Sequence, residues 1–387
     1  MGLEDRESLR VVQSAFDGPD GDGVIRRFYS TWFARDPSVL DLFPPDLAHQ
    51  RRAFTLAMRW LFGEFVAQRS AEPVAFLAQL GRDHRKYGVT DSQYLTLCQS
   101  MFLALREELG DRFSAAVDEA TSEALTLIAG AMSGAAAADS QPAWWDGTVV
   151  EFGPMSPDIA VVRLQLDAPM PYLAGQYVSV QVPQCPRLWR YLSPSMPPDS
   201  QGRIEFHIRT VPGGVVSPTV VAETLPGDRW RLSSPHGSLH IDRDGGDVLM
   251  VAGSTGLAPL RALLMDLMRF GENPRVHLFF GGRYPCELYD LPTLWEIAGC
   301  SPWLSVTPVS EHPTNPSWAA DYPDPEPPRG LHVRQIGRLP EVVAGYGGWG
   351  DRQILICGRP EMVVATRAAL IAKGAPADRI QHDPLVG

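Results

Sequence analysis

The spacing of apolar residues divides the chain into three parts. Up to about residue 140, apolar positions recur every three or four residues, the period of amphipathic helices. The following part holds short apolar or alternating runs, TVVEF, AVVRLQL, QYVSVQV, RIEFHIR and DRWRLSS, which predict antiparallel strands. In the last part the strand-like runs DVLMVAG, RVHLFFG and RQILICG alternate with helical segments such as APLRALLMDLMRF, which predicts a parallel sheet covered on both faces.

This pattern predicts a multidomain protein with three domains: all-α over 1–140, an antiparallel β-barrel or sandwich over 141–243, and an α/β domain with a parallel sheet over 244–387. The first boundary follows the small-residue segment SGAAAADSQPAWW, where the composition changes sharply. A chain of 387 residues is also too long for a single core. We interpret the acidic, proline-rich segment DYPDPEPPRG as a solvated insertion in the third domain.

Charge and composition exclude several classes of protein. The net charge of -11 leaves no basic stripe for nucleic acid, although backbone amides can still bind a nucleotide locally. The first residues, MGLEDRESLR, lack the pattern of a signal peptide, and no apolar run approaches the roughly 20 residues that span a bilayer. Five scattered cysteines without C-x-x-C spacing predict neither a disulfide framework nor a zinc site. We expect a cytoplasmic protein, compatible with a monomer.

Polar residues fall on otherwise apolar helix faces in the first domain. Tyr29 lies within the apolar stripe of one helix, His84 in that of another and Tyr94 in that of a third. On the remaining helix two registers stay open, one with Gln50 inward and one with His49 inward. A neutral imidazole can bind iron axially, and a tyrosine and an amide can hydrogen-bond a diatomic ligand. From spacing alone, a haem site and a set of satisfied core residues both remain open.

Residues from about 20 to 133 resemble the globin domain of flavohaemoglobins, on the segments FYSTWF, LDLFP, HQRRAF and DHRKYGVTDSQY. The resemblance implies a haem b group with residues in family order. These are Tyr29 and Gln50 on the distal side, Phe43 and Phe54 against the porphyrin, and His84 as the iron ligand, with Tyr94 on the proximal side.

One segment departs from the flavohaemoglobin pattern. Family members carry a glutamate that hydrogen-bonds the proximal histidine, whereas LIAGAMSGAAAA places Met132 or Ser133 there. A carboxylate behind an imidazole ligand raises its donor strength. Its loss therefore predicts an iron that resembles that of an oxygen-carrying globin.

Two strand–turn–helix segments in the third domain predict a nucleotide site. VAGSTGLAP ends a strand at Gly253 and opens a helix near Pro259, and ILICGRPEMV repeats the arrangement with Cys357 and Gly358. Glycines allow a phosphate close to the backbone, and the helix N-terminus offers free N–H groups. Neither segment is a G-x-G-x-x-G fingerprint or a Walker A loop. Two such turns at the carboxyl ends of parallel strands nevertheless favour a nucleotide crevice.

The second domain holds a weaker signal in RYLSP and HIRTVPGGVVSP. An arginine and a serine beside a glycine turn can hold a pyrophosphate. Taken alone, these residues are better interpreted as a solvated arginine and an ordinary hairpin turn.

From Thr148 to the C-terminus, the chain resembles ferredoxin-reductase-like FAD and NAD(P)H modules. The segments GQYVSV, RYLS, GGVVS, GSTGLAP, FFGGR, ELYDL and CGRPEM occur in family order. The FAD-binding residues implied are Tyr177, Arg190, Leu192, Ser193, Gly214 and Ser217. The NAD(P)H-binding residues implied are Ser254, Thr255, Gly256, Leu257, Ala258 and Pro259, with Cys357 and Gly358. Arg283 either meets the adenosine phosphate or lies on the surface, so NADH and NADPH both remain open.

Two departures concern the flavin. Leu192 stands where the family motif usually has tyrosine, and Tyr191 is shifted by one position. Near the C-terminus, Pro384 and Leu385 stand where flavohaemoglobins have an aromatic residue over the isoalloxazine ring. An aromatic ring stacked there contributes about 0.5–1.5 kcal/mol beyond burial. We therefore expect looser flavin binding or a changed redox potential.

Together the two resemblances imply an oxidoreductase that passes electrons from NAD(P)H through FAD to haem. Oxygen and nitric oxide would be its small-molecule ligands, as in a nitric oxide dioxygenase. Two alternatives stay open. One is a haem and flavin oxidoreductase with a different donor, such as a hydroxy acid or quinol, and the other is a gas-binding or gas-sensing globin with a slow reductase.

Overall fold

The computed structural model forms two compact units, Met1–Trp144 and Trp145–Gly387. The residues it describes are 3–17, 21–67, 72–322, 324, 326–329 and 331–383. Three positions of the DYPDPEPPRG segment (323, 325 and 330) lie outside them. Within the described ranges, every helix is too short or too polar to cross a membrane.

The first unit is helical, as the period of its apolar residues predicts. Its helices are α1 (Leu3–Ser14), α2 (Gly21–Arg35), α3 (Ala48–Ala67), α4 (Glu72–His84), α5 (Asp91–Leu109) and α6 (Ala115–Ala138). Local chemistry sets the start of α5, because Thr90 and Gln93 form a reciprocal capping box. The core is built on large apolar side chains with almost no exposure, among them Phe16, Phe28, Phe62, Leu77, Met101 and Leu105.

The second unit begins with an antiparallel six-stranded sheet in the order β4-β3-β6-β1-β2-β5. Its strands are β1 (Trp145–Ser156), β2 (Ile159–Leu166), β3 (Val178–Gln181), β4 (Trp189–Leu192), β5 (Arg203–Arg209) and β6 (Arg229–Leu232). A bridge between Pro194 and Phe206 links the two edges of this sheet, so it closes as a barrel. The interpretation of GGVVSP as a hairpin turn is wrong, because helix α7 (Val216–Glu223) follows directly.

The second unit continues with a parallel sheet in the order β10-β9-β8-β7-β11-β12. Its strands are β7 (Val248–Gly253), β8 (Val276–Gly282), β9 (Leu304–Ser310), β10 (Gln335–Ile336), β11 (Gln353–Cys357) and β12 (Ile380–Gln381). Helices α8 (Leu257–Leu267), α9 (Leu291–Cys300), α10 (Leu339–Gly345) and α11 (Pro360–Ala372) connect them. The strand order reverses between β7 and β11, and ligands bind at such a point in open α/β sheets. The division of this unit at residue 243 stays a prediction.

Candidate functional site

Tyr29 lies in an aromatic cage within the helical unit. Its ring centroid is 5.6 Å from that of Phe33, 5.5 Å from that of Phe43 and 6.1 Å from that of Phe54. The residue is 4% exposed, and the Gln50 side chain lies close enough to interact with the hydroxyl. Burial raises the pKa of Tyr29 far above its ordinary value. The hydroxyl therefore stays protonated and can donate to a ligand.

The contact with Tyr29 decides which residue of α3 faces inward. Gln50, in the first turn, points to Tyr29, and Met58 and Leu61 on the same face are 3% and 2% exposed. On the other face, His49 is exposed and Leu56 is 60% exposed. Gln50 is exposed as His49 is, but its side chain interacts with Tyr29, so of the two registers that the sequence left open the structure favours the one with Gln50 toward Tyr29.

His84 is the last residue of α4, and its Nδ1 lies 2.7 Å from the carbonyl oxygen of Leu80. A ring that donates from Nδ1 presents Nε2 as the unprotonated nitrogen, which is the form that binds a metal. Burial lowers the pKa of His84 and keeps the ring neutral. This arrangement fits an axial ligand to haem iron.

The region behind His84 is closed by helix α6. A Cβ atom on Gly81 would lie 2.1 Å from the carbonyl oxygen of Met132, so α4 and α6 touch backbone to backbone. Met132 is 7% exposed and belongs to the helical core. Among the described contacts of His84, the partner of Nδ1 is the Leu80 carbonyl and not a carboxylate. This geometry agrees with the sequence, which has Met132 or Ser133 where flavohaemoglobins have a glutamate behind the proximal histidine.

Tyr94 lies in the first turn of α5, where the capping box fixes the helix start. The side chain is 5% exposed, and burial together with the nearby Asp91 carboxylate raises the pKa of Tyr94 to about 12. Its phenol is therefore a neutral, fixed group in the helical core. Any part in orienting His84 stays a prediction.

In the barrel, Tyr177 belongs to an aromatic cluster with Tyr191 and His236. The Tyr177 ring lies 5.1 Å from Tyr191, edge-on, and 5.8 Å from His236. The Tyr191 side chain is 50% exposed, so its ring is available to a ligand. The sequence motif pointed to Leu192 instead, yet Leu192 pairs with Val178 and packs partly into the barrel core. The alternation of side chains along β4 is what turns Tyr191 outward.

The remaining predicted FAD residues lie in two segments. Arg190 is exposed on β4, where its Nη1 donates to the Trp189 carbonyl at 2.8 Å, and Ser193 follows that strand. Gly214 lies in the turn before α7 and Ser217 in the first turn of that helix, where Ser217 Oγ accepts from the Val211 amide at 3.0 Å. Contact of these residues with FAD stays a prediction.

The two predicted nucleotide turns meet in space. A Cβ atom on Gly256 would lie 2.3 Å from the carbonyl oxygen of Cys357 and 2.6 Å from the amide nitrogen of Gly358. Because β7 and β11 are neighbours in the sheet, both turns lie at the carboxyl ends of adjacent parallel strands. Gly253 and Gly358 both pack against Met362. Only glycine at 256 lets the two backbones come this close.

The residues between Gly253 and helix α8 form the first of the two turns. Ser254 has a φ of 52°, in the left-handed region, and Thr255 follows within a 3₁₀ turn that ends at Gly256. The next residues, Leu257, Ala258 and Pro259, are buried in the first turn of α8. The turn therefore presents backbone N–H groups, the pattern that binds a phosphate.

Asp383 is a residue of this region that the sequence did not reveal. A Cβ atom on Gly237 would meet both the Tyr177 ring at 3.0 Å and Asp383 Oδ1 at 3.1 Å, so the two side chains flank the same glycine. Burial raises the pKa of Asp383 to about 6, and burial together with that carboxylate raises the pKa of Cys357. The predicted flavin residues Pro384 and Leu385 lie outside the described residues.

A second aromatic group lies at the carboxyl ends of β8 and β9. Tyr284 stacks on His312 with ring centroids 4.7 Å apart and planes 17° apart, and Trp318 meets Tyr284 edge-on. Trp318 is 61% exposed and Arg283 is exposed as well. The sequence signal for this group is an aromatic residue, Tyr284, shortly after a predicted strand. Stacked rings of this kind can support a nucleobase.

Three family models match the chain in the same order as the structural parts. The model described as Globin matches residues 26–132, and the oxidoreductase FAD-binding domain matches residues 146–241. The oxidoreductase NAD-binding domain matches residues 250–368.

Several curated relatives are reductase components of oxygenase systems. The ferredoxin–NAD(P)+ reductase component of the naphthalene 1,2-dioxygenase system of Pseudomonas putida is 30% identical over 287 residues, 74% of this chain and 76% of that protein. The reductase component of phenol 2-monooxygenase from a Pseudomonas species is 29% identical over 229 residues, 58% of this chain. The chain spans 61% of the length of each of the first two curated relatives that it matches.

Two solved structures extend the comparison. A flavohemoglobin from Malassezia yamatoensis with bound FAD and heme superposes with a TM-score of 0.76 and 15% identity over 100% of this chain and 99% of that one. It shares the fold along the whole length. The Amycolatopsis cytochrome P450 reductase is 29% identical, with a TM-score of 0.52, over 63% of this chain and 70% of that one.

Proposed function

The chain belongs to the ferredoxin–NAD(P)+ reductase family, and we propose that it is a nitric oxide dioxygenase. Its FAD- and NAD-binding module is joined to a globin domain, as in a flavohaemoglobin-like fusion. Its cofactors are haem, FAD and NAD(P)H. The balanced reaction takes two nitric oxide, two oxygen and one NAD(P)H to two nitrate, NAD(P)+ and one proton. The observation that carries the proposal is the buried Tyr29 side chain, which lies among the rings of Phe33, Phe43 and Phe54 and interacts with Gln50.

Haem supplies an iron that binds diatomic gases, and FAD accepts two electrons from the donor and passes them on one at a time. The protein's own residues set the surroundings of that chemistry. Tyr29 holds a proton at its hydroxyl oxygen and donates it in a hydrogen bond to a ligand in the cage, while the Gln50 amide orients that hydroxyl. The rings of Phe43 and Phe54 exclude water, which strengthens this hydrogen bond.

The reductase residues bind and orient the donor. The turn from Ser254 to Gly256 and the adjoining turn at Gly358 would cradle the phosphates of the dinucleotide with backbone N–H groups. Tyr177 and Tyr191 would pack against the flavin ring system. The stacked rings of Tyr284 and His312 would support the adenine.

Anaerobic stopped flow tests the electron path. The purified protein is mixed with NADH or NADPH, and flavin bleaching and the haem Soret band are followed before oxygen and nitric oxide are added. Reduction of both chromophores, followed by nitrate formation in the stated ratio, supports the proposal. If another metabolite reduces the protein and neither nucleotide does, that metabolite is the electron donor and NAD(P)H is not. Reversible gas binding with no reduction by any donor would instead support a sensing globin.

Replacing Tyr29 by phenylalanine should raise the oxygen dissociation rate about tenfold, because one hydrogen bond of roughly 1–1.5 kcal/mol is lost. Flash photolysis measures the rate. Phe33→Leu is the matched control, since it changes the same cage without removing a donor. An unchanged dissociation rate in Tyr29→Phe would remove Tyr29 from the distal site.

The proximal geometry predicts a spectroscopic signature. Because Nδ1 of His84 faces the Leu80 carbonyl and not a carboxylate, the ligand should behave as a neutral imidazole. Resonance Raman spectroscopy of the ferrous protein should place the iron–histidine stretch in the range of oxygen-carrying globins. A frequency typical of an imidazolate-like ligand would contradict this geometry.

A further inference from the structure

Strand β5 carries a polar seam, which consists of Glu205, His207 and Arg209. The isoleucine and phenylalanine residues between them belong to the barrel core, so the seam lies on the opposite face of the strand. Each of its three residues contacts the parallel-sheet half of the same unit. These contacts are Glu205 with Arg261 at 2.5 Å, His207 with Tyr289 at 2.8 Å, and Arg209 with Glu287 at 2.8 Å.

Arg209 ends the seam at the nucleotide turn. Its Nη1 donates to Ser254 Oγ at 3.0 Å, and its Nη2 donates to Glu287 Oε1. Its Nε donates to Asp158 Oδ2 at 2.7 Å. The Arg209 side chain is 17% exposed, and the two carboxylates fix its guanidinium in a single orientation. It is therefore a rigid, desolvated donor for Ser254.

Ser254 needs such a donor because of its backbone conformation. Its φ of 52° is in the left-handed region, which a residue with a Cβ atom adopts at a cost. It is also the first residue after β7, in the turn that meets Gly358 in the nucleotide crevice. Relaxation of Ser254 to a negative φ would move the backbone N–H groups of this turn.

We propose that Arg209 is a positioning residue that holds Ser254 in the left-handed conformation and so preforms the turn for the dinucleotide. Without Arg209, the turn relaxes and must be re-formed during binding. The apparent Kd then equals the intrinsic Kd divided by the fraction of protein whose turn is already formed. The proposal rests on dinucleotide binding by the proposed function and is independent of the reaction at haem.

A double-mutant cycle separates positioning from direct contact with the dinucleotide. Glycine adopts the left-handed conformation without support, so Ser254→Gly removes the need for Arg209. Arg209→Met should raise the Kd of the dinucleotide about tenfold in the wild-type background, and no more than about twofold in the S254G background. Arg209→Lys, which keeps the positive charge beside Glu287 but cannot make the same fork of bonds, should give an intermediate value.

The Kd is measured on the full-length, FAD-loaded protein by calorimetry with NAD+ and NADP+. Arg203→Met is the matched control, because Arg203 lies on the same strand, is exposed and pairs with Asp199. It should leave the Kd unchanged. FAD content and reduction of the haem by dithionite should be unchanged in every variant, which excludes a general loss of fold.

An equal loss of affinity in both backgrounds would overturn the proposal, since Arg209 would then contact the dinucleotide directly. An unchanged Kd in Arg209→Met would overturn it as well. If the wild-type flavin is reduced by neither nucleotide, the proposed electron donor fails while the calorimetric cycle still decides the part of Arg209. If neither nucleotide binds, both proposals fail together.

Discussion

Replacing His84 by alanine should leave a protein that binds FAD and has lost stable haem binding. Nδ1 of His84 is held by the Leu80 carbonyl, and this leaves Nε2 as the nitrogen for iron. Alanine removes that ligand while the capping box of α5 and the apolar core of the helical unit remain. Purification in the presence of haem, followed by absorption spectra and quantification of both cofactors, measures the effect. We expect most of the haem to be lost, because the iron loses its axial protein ligand.

His49→Ala is the matched control for this variant. His49 is exposed in the first turn of α3, on the face opposite to the buried residues of that helix. Its replacement should leave haem and FAD content at the wild-type level. A normal haem spectrum in His84→Ala, or equal haem loss in both variants, would refute the place of His84 as the ligand.

Replacing Gly256 by valine should slow reduction of the flavin by NAD(P)H about 100-fold, because misplacement of reacting groups by about 1 Å has effects of this size. A Cβ atom there would lie 2.3 Å from the Cys357 carbonyl oxygen, so one of the two turns must move. The obstacle is steric and not conformational, since the φ of Gly256 is -61°. Anaerobic stopped flow measures the rate, and dithionite should still reduce flavin and haem.

Gly271→Val provides the control for this substitution. Gly271 follows the end of α8, and a Cβ atom there would meet nothing within 4 Å. Its flavin-reduction rate should equal that of the wild type. A Gly256→Val protein that is reduced at the wild-type rate would show that the two turns do not form the dinucleotide site.

The globin part shows why some site residues could be predicted. Tyr29 and His84 lie within apolar stripes, and helical period carries that information along a few turns of sequence. The choice between His49 and Gln50 was different, because both registers fit the local pattern. Only the contact with Tyr29, on another helix, selects Gln50.

The flavin region shows the opposite case. The motif directed attention to Leu192, but the pleat of β4 turns that side chain toward the core and leaves Tyr191 exposed beside Tyr177. Asp383 reaches the same place from the far end of the chain, next to Gly237. Neither position follows from local spacing, because each depends on which strands pair.

By itself the sequence determined the order of parts, the helical and strand periods, and the two glycine turns, since each is encoded within about ten consecutive residues. The tertiary structure decided which of those residues meet. Arg209 and Ser254 are 45 positions apart and Arg209 and Glu287 are 78 apart, yet they form one cluster beside the nucleotide turn. Hydrogen bonds and ion pairs act over a few ångströms of space, so they connect residues whose spacing along the chain carries no signal.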